Sequence, residues 1–282
     1  MSQAPLPPAF GEQSADVDDL AEIFHENTKY WPSTLAAATV NVPGFLYDPE
    51  LIERSTRGYH HLPLSRRIAL ARHAKTSRTF EEVLQSRCST RSYDAAPLDL
   101  AALGGVLDIA CRTTRMGETP TGKKLYFRSY PSGGGLYPIE IYVVALNVTG
   151  LQPGVSHYNP RAHVLEIVRA DLAPTEFRRA LTSPAENEHA AAAIVLTSVL
   201  QRSTAKYGTR GYRFALLEAG HCGQNICLAA AAANIKTCLC GGYFDDKIAA
   251  LCGADGVNEA VVSLLFLGNG SAGGRDGEPD QP

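Results

Sequence analysis

The sequence predicts an α+β fold, and three observations predict it. Runs rich in β-branched and aromatic residues at 125–129, 140–146, 193–200, 236–240 and 260–267 read as strands. Two further runs, 155–158 and 164–168, are joined by Asn159-Pro160-Arg161-Ala162 and read as an antiparallel hairpin. Helical segments at 79–85, 97–110, 174–181 and 212–233 are mixed among the strands, in helix-and-sheet layers around one core.

The elements follow in order. Residues 1–14 are rich in proline and small residues and are expected to be disordered. From 16 to about 75 the text is polar and broken by prolines, with short helices expected at 17–27 and 65–74. Residues 1–78 therefore read as an amino-terminal arm, 79–268 as the main domain and 269–282 as a flexible tail. In the helix at 97–110, Leu98, Leu100, Leu103, Leu107 and Ile109 mark an apolar face. The helix at 212–233 is built differently. Ala219, Gly220, Gly223, Cys227 and Ala230 recur every three or four residues and leave a face nearly bare of side chains, open to close approach by another helix within the subunit or across a dimer. Asn234 suits the left-handed cap that ends it. After the strand at 236–240 come a Gly241-Gly242 turn, a short helix capped by Asp245 and the last strand.

Composition narrows the function. The chain has 282 residues, 45% hydrophobic and 20% charged, with a formal net charge of -3, so nothing points to a nucleic-acid backbone or an anionic membrane. The first residues lack a basic start and an apolar run, and the apolar stretch 190–200 is well short of the roughly 20 residues that span a bilayer. A soluble, cytoplasmic protein is expected. The seven cysteines include no C-x2-C pair and read as buried reduced thiols, with no metal site. The text from Gly117 to Lys124 nearly spells a phosphate-binding loop, but Lys124 stands where the magnesium-binding hydroxyl belongs and a strand follows, so it reads as a plain loop. Asn147-Val148-Thr149 is a chance sequon, and His221 reads as a hydrogen-bonded core residue.

Four segments carry chemistry. Lys206-Tyr207-Gly208-Thr209-Arg210-Gly211-Tyr212-Arg213 puts proton-capable groups at the mouth of the small-residue helix. Arg87-Cys88-Ser89-Thr90-Arg91-Ser92 combines two guanidiniums with three hydroxyls, a set able to grip a phosphate and to face an electron-rich ring. In Pro131-Ser132-Gly133-Gly134-Gly135-Leu136-Tyr137-Pro138, three consecutive glycines cost chain entropy that close backbone approach to a ligand would justify. Cys240-Gly241-Gly242-Tyr243 repeats that logic, and the set suggests a flat polar cofactor.

Together these segments resemble the nitroreductase-like flavoprotein superfamily, and within it the SagB-type (McbC/ThcOx-like) azoline dehydrogenases. The resemblance also takes in His157-Tyr158, Glu218-Ala219-Gly220-His221 with Gln224-Asn225, Gly241 through Asp246, Leu267-Gly268 and the arm text Phe24-His25-Glu26-Asn27-Thr28-Lys29, covering about 24–268. It implies a mostly antiparallel central sheet flanked by helices, and a homodimer binding FMN at the subunit interface. Arg87, Cys88 and Ser89 would hold the phosphate and ribityl end, and Arg91 the N1/O2 edge. Ser132, Gly133 and Gly134, with Leu136 beside them, would come from the partner subunit, and Gly241 and Gly242 would pass over the ring near N5. The chain departs from the superfamily after its final strand. Asn269-Gly270 stands in place of a basic pair, and the first basic residue there is Arg275.

The resemblance makes Lys206 and Tyr207 the catalytic pair. Oxidising a thiazoline or oxazoline removes a hydride to flavin N5 and a proton to a base, with oxygen reoxidising the flavin. A lysine serves as that base only if burial or nearby arginines (Arg202, Arg210 or Arg213) lower its pKa, and which of the pair is the base stays open. The substrate would be a peptide-bound or carrier-bound azoline, with a cyclodehydratase as a possible partner. An NAD(P)H-dependent nitro- or quinone reductase and a flavin-free scaffold subunit are the alternatives.

Overall fold

The computed structural model describes residues 20–33, 35–56, 60, 62–72, 76–119, 122 and 124–270. The expected disordered start, the beginning of the helix at 17–27, most of the tail and Arg275 lie outside the described residues.

The arm contributes α1 (Leu20–Asn27), α2 (Leu35–Ala38), α3 (Asn41–Tyr47), α4 (Pro49–Thr56) and β1 (Arg67–Ala69). The helix expected at 65–74 is corrected to this short strand. Arg67, Ile68 and Ala69 pair with Glu166, Leu165 and Val164, and tertiary pairing overrides the local helical pattern. The body runs α5 (Phe80–Ser86), β2 (Leu98–Asp99), α6 (Leu100–Cys111), β3 (Thr113–Glu118), β4 (Lys124–Arg128), β5 (Ile139–Ala145), β6 (Val148–Thr149), β7 (Gly154–Asn159), β8 (Val164–Ala170) and α7 (Pro174–Arg178). It continues through β9 (Ala192–Val199), α8 (Leu200–Tyr207), α9 (Arg210–Ala232), β10 (Lys236–Cys240), α10 (Asp245–Cys252) and β11 (Glu259–Gly268).

Local chemistry explains the helix starts. Thr79 and Glu82 form a reciprocal capping box on α5, and the Asp99 carboxylate accepts from Ala101 N to start α6. Asp245 is not the cap of α10, as the sequence suggested. Phe244 holds the cap position, and Asp245 sits in the first turn where a carboxylate complements the helix dipole. Asn234 takes φ 58° just beyond α9, the left-handed geometry expected of it. The phosphate-loop look-alike begins on β3 and ends on β4, which form an antiparallel pair.

Seven strands form the main sheet in the order β1-β8-β7-β5-β9-β11-β10, every neighbouring pair antiparallel. Alternation along each strand feeds two cores. Ile139, Ile141 and Val143 of β5, with Ile194, Leu196, Leu265 and Leu267, pack beneath α6 and α9. Tyr142, Val144, Val195, Leu264 and Phe266 face the opposite way, toward α7 and α10. No described helix is long and apolar enough to cross a membrane. Cys111, Cys222, Cys227, Cys238 and Cys252 are buried free thiols, whereas Cys88 is exposed.

A buried ionic cluster crosses the sheet where the hydrophobic alternation lapses. His157 Nε2 lies 2.7 Å from Glu140 Oε2, and its Nδ1 lies 3.5 Å from Glu166 Oε2. Arg202 of α8 reaches Glu140 Oε1 at 2.6 Å, and Arg67 of β1 reaches Glu166 at 3.0 Å. Burial alone would depress the His157 pKa, but the Glu140 and Glu166 carboxylates outweigh it and raise it to about 9. Glu140 is likewise held below the usual carboxylate range, because Arg202 and His157 overcome its burial.

A raised histidine pKa stabilises the fold fully below the ordinary imidazole value of about 6.5 and loses that contribution as pH rises through about 9. Urea midpoints should therefore fall over this window, and His157→Gln should remove that part of the decline. Glu140→Ala leaves Arg202 buried without its partner and should cost ~3–5 kcal/mol in equilibrium unfolding.

Candidate active site

Lys206 and Tyr207 close α8, a helix the sequence did not announce because its apolar residues are few. Both glycines of their motif have a physical task. Gly208 turns the chain at φ 56°, ψ −145°, a conformation essentially restricted to glycine. A side chain on Gly211 would lie 2.6 Å from the Ser203 carbonyl carbon, so α8 and α9 meet backbone to backbone. The arm completes this corner. Arg210 Nη1 donates to Thr28 O (2.8 Å), Arg213 Nε to Thr28 Oγ1 (2.5 Å), and Phe24 packs edge-on against Tyr212 at 5.5 Å.

The corner presents the pair to the glycine turn of the same chain. Gly134 has φ 67°, and a Cβ there would lie 2.5 Å from the Tyr207 hydroxyl and 3.0 Å from Lys206 Nζ. Only a residue without a side chain lets both polar groups come this near the main chain. Lys206 Nζ also lies 5.2 Å from the ring centroids of Phe45 and Tyr207, so the arm helix α3 supplies one wall. Gly133 is pressed against Phe214, 3.2 Å from where its Cβ would be. Leu136 is buried with Phe45 and Ile52, and Tyr207 packs against this cluster. Each of the three arginines expected beside Lys206 has a partner of its own. Arg202 is paired with Glu140, and the arm takes up Arg210 and Arg213.

The arginine half lies elsewhere. Arg87 ends α5, Ser89 bridges Thr237 beside β10, and Thr90 N donates to Thr237 O (2.8 Å). Arg87 and Cys88 line a small cleft of about 40 Å³ with Arg78, Ser86, Asn234 and Lys236. Arg91 lines a second cleft of about 120 Å³ with Gly241, Gly242, Thr182 and Cys238. Neither Arg87 nor Arg91 makes an ion pair among the described residues. Nothing lies within 4 Å of a Cβ placed on Gly241, whereas one on Gly242 would strike the Thr182 hydroxyl. Unpaired guanidiniums beside bare backbone fit an anionic cofactor with a flat ring. Arg78 and Lys236 add basic charge next to Arg87, and sequence reading missed both because pairing of distant segments brings them there.

The two halves sit at opposite ends of α9. Gly133 packs on Phe214, in the second turn, while the Arg87 cleft includes Ala231, in the last. Those positions are about 26 Å apart at 1.5 Å per residue, farther than one flavin can bridge. Between them α9 shows an open face of Leu217 (59% exposed), Gly220, His221 and Gln224, with Phe80 and Leu84 of α5 exposed nearby. His221 is thus on the surface and not in the core, a correction to the sequence reading.

Comparison with known proteins gives the family. Residues 84–269 match the nitroreductase family. A protein of Methanocaldococcus jannaschii, provisionally named a nitroreductase, is 31% identical over 168 residues, 60% of this chain and 81% of that one. The microcin B17-processing protein McbC of Escherichia coli is 34% identical over 149 residues, 50% of this chain and 54% of McbC. A chain of the E. coli microcin synthetase McbBCD complex, solved with truncated pro-MccB17 bound, superposes with a TM-score of 0.57 at 26% identity, covering 91% of this chain and 99% of that one. The antiparallel sheet flanked by helices, the motif-bearing turns and the matched span agree, and the chain belongs to the nitroreductase family.

Proposed function

We propose that this protein is an FMN-dependent dehydrogenase that oxidises thiazoline or oxazoline rings in a modified peptide or peptide-like product to the corresponding azoles. The observation that carries the reading is the convergence of Lys206 Nζ and Tyr207 OH on Gly134, a turn with no side chain to separate them from a ligand. Two adjacent proton-capable groups suit a reaction that removes a proton, and a simple reductase has less need of them. Bound FMN would supply the two-electron acceptor.

Arg87, Cys88 and Ser89 are assigned to its phosphate and ribityl end, and Arg91, Gly241 and Gly242 to its ring. Lys206 or Tyr207 takes the substrate proton, at Nζ or at the phenol oxygen. The separation of the halves along α9 supports a homodimer in which Ser132, Gly133, Gly134 and the Lys206–Tyr207 pair of one subunit face the arginines of the other. The open face of α9 around Leu217, Gly220, His221 and Gln224 offers a contact for a second copy running the opposite way, while Ala219, Gly223, Cys227 and Ala230 of the small-residue face are buried within the subunit. The likeness to McbC and to a chain of the McbBCD complex supports a peptide substrate and a cyclodehydratase partner.

Lys206→Ala should leave the purified protein yellow while azole formation, followed by the 2 Da mass loss per ring, drops by about 10²–10⁴-fold; unchanged turnover would refute the assignment. Arg87→Ala should lower FMN occupancy after desalting, and full retention would contradict the phosphate role. Leu217→Glu, placed on the open face of α9, should give a monomer without flavin in light-scattering chromatography. Rapid bleaching by NADPH alone would favour a reductase instead.

A further inference from the structure

Glu218 is the one acid of α9 that the fold buries, and it lies beneath the glycine turn. It is 2% exposed, and the Ser132 hydroxyl and the Ile139 N–H approach its carboxyl without closing a full hydrogen bond on either oxygen. Several groups face it. Arg128 comes from β4, Tyr130 and Tyr137 from the flanks of the turn, Arg202 from α8, Cys222 from the next turn of α9, and the Ser132 hydroxyl and Ile139 N–H from the turn and β5.

The two cations are already engaged. Arg128 Nη1 donates to the Tyr130 hydroxyl and to Ile139 O (3.1 Å). Arg202 Nη1 is directed at Glu140 (2.6 Å) and at Tyr137 O (3.2 Å). Burial is the largest influence on Glu218 and raises its pKa to about 7, against the pull of Ser132, Arg128 and Arg202.

Ser132 is the link to the site. Its oxygen already accepts from Tyr137 N (2.8 Å), which holds the turn closed across Gly133–Gly135 and steadies Tyr137 at a left-handed φ of 46°. The hydroxyl has one proton to give. An ionised Glu218 competes for that proton from below, whereas a neutral carboxyl does not need it.

We propose that Glu218 is a positioning residue for cofactor binding, whose proton state decides whether the Ser132 hydroxyl donates inward to the carboxylate or outward to the flavin. This rests on the flavin reading, since Ser132 matters here only as a cofactor contact. Ionising Glu218 withdraws a donor from the ligand and adds negative charge beneath an anionic cofactor. Cofactor affinity therefore falls as pH rises through neutrality.

The test is the affinity of the flavin-stripped full-length protein for FMN between about pH 5.5 and pH 8.5, read by quenching of flavin fluorescence. For wild type we expect the dissociation constant to rise by up to about tenfold per pH unit near neutrality. Glu218→Gln should keep the low-pH affinity throughout. Riboflavin titrated in parallel should show the same contrast, which removes the ionisation of the phosphate as its cause. If Glu218→Gln does not fold, Ser132→Ala serves instead, with weakened binding and no steep pH dependence expected. A wild-type profile matched by either variant overturns the inference while leaving the flavin reading intact. No FMN binding at any pH overturns both.

Discussion

The amine–phenol end of the molecule depends on how closely two helices can meet. α8 and α9 are joined by a two-residue corner, and at Gly211 their backbones touch with no room for a methyl group. That contact fixes where α8 ends relative to the glycine turn, and so where Lys206 and Tyr207 point. The ion pair from Arg202 to Glu140 acts on the same helix one turn earlier, tying it to the central strand β5. A helix end is ordinarily prone to fraying. Here it is pinned by sterics on one side and by a buried charge on the other, and the arm closes over it with Phe45 and Thr28.

The long helix then sets the scale of the site. Its bare face and its length are separate properties with separate effects. Length keeps the arginine cleft and the glycine turn apart within one chain, and the bare face, with Ala219, Gly223, Cys227 and Ala230 buried, lets α9 sit deep in its own subunit. Neither half resembles a finished pocket. The clefts at Arg87 and Arg91 are shallow, and the Lys206–Tyr207 pair faces a main-chain turn instead of an enclosed cavity.

Much of this was legible in the sequence because it rests on local chemistry. The hairpin around Asn159-Pro160, the cap at Asn234 and the strand at β10 follow from turn residues and periodicity, and the structure has them where expected. The glycines of the Lys206 motif and of the turn at Ser132 announced close contacts, though not with what. What stayed hidden is long-range. β1 has the local pattern of a helix and becomes a strand only because β8 offers its edge. The convergence of Glu140, His157, Glu166 and Arg202 needs the register of three strands and the position of α8, which no window of sequence contains. Lys236 and Arg78 reach the Arg87 cleft in the same way. His221 was misread because a helix bare on one face was taken to be enclosed on every side.

The ionic cluster has a bearing on how the arm relates to the rest. Arg67 is the arm's counter-ion for Glu166, whose side chain is wholly buried, and His60 lies 2.6 Å from Glu259 at the start of the last strand. A chain shortened to begin at α5 would keep both carboxylates, leave Glu166 with His157 as its counter-charge, take the His60 hydrogen bond from Glu259 and expose one edge of the sheet. Arm and sheet are therefore joined by electroneutrality as well as by contact. An evolutionary lineage that discarded the first sixty or seventy residues would leave Glu166 to His157 and Glu259 to the Tyr142 and Thr197 hydroxyls.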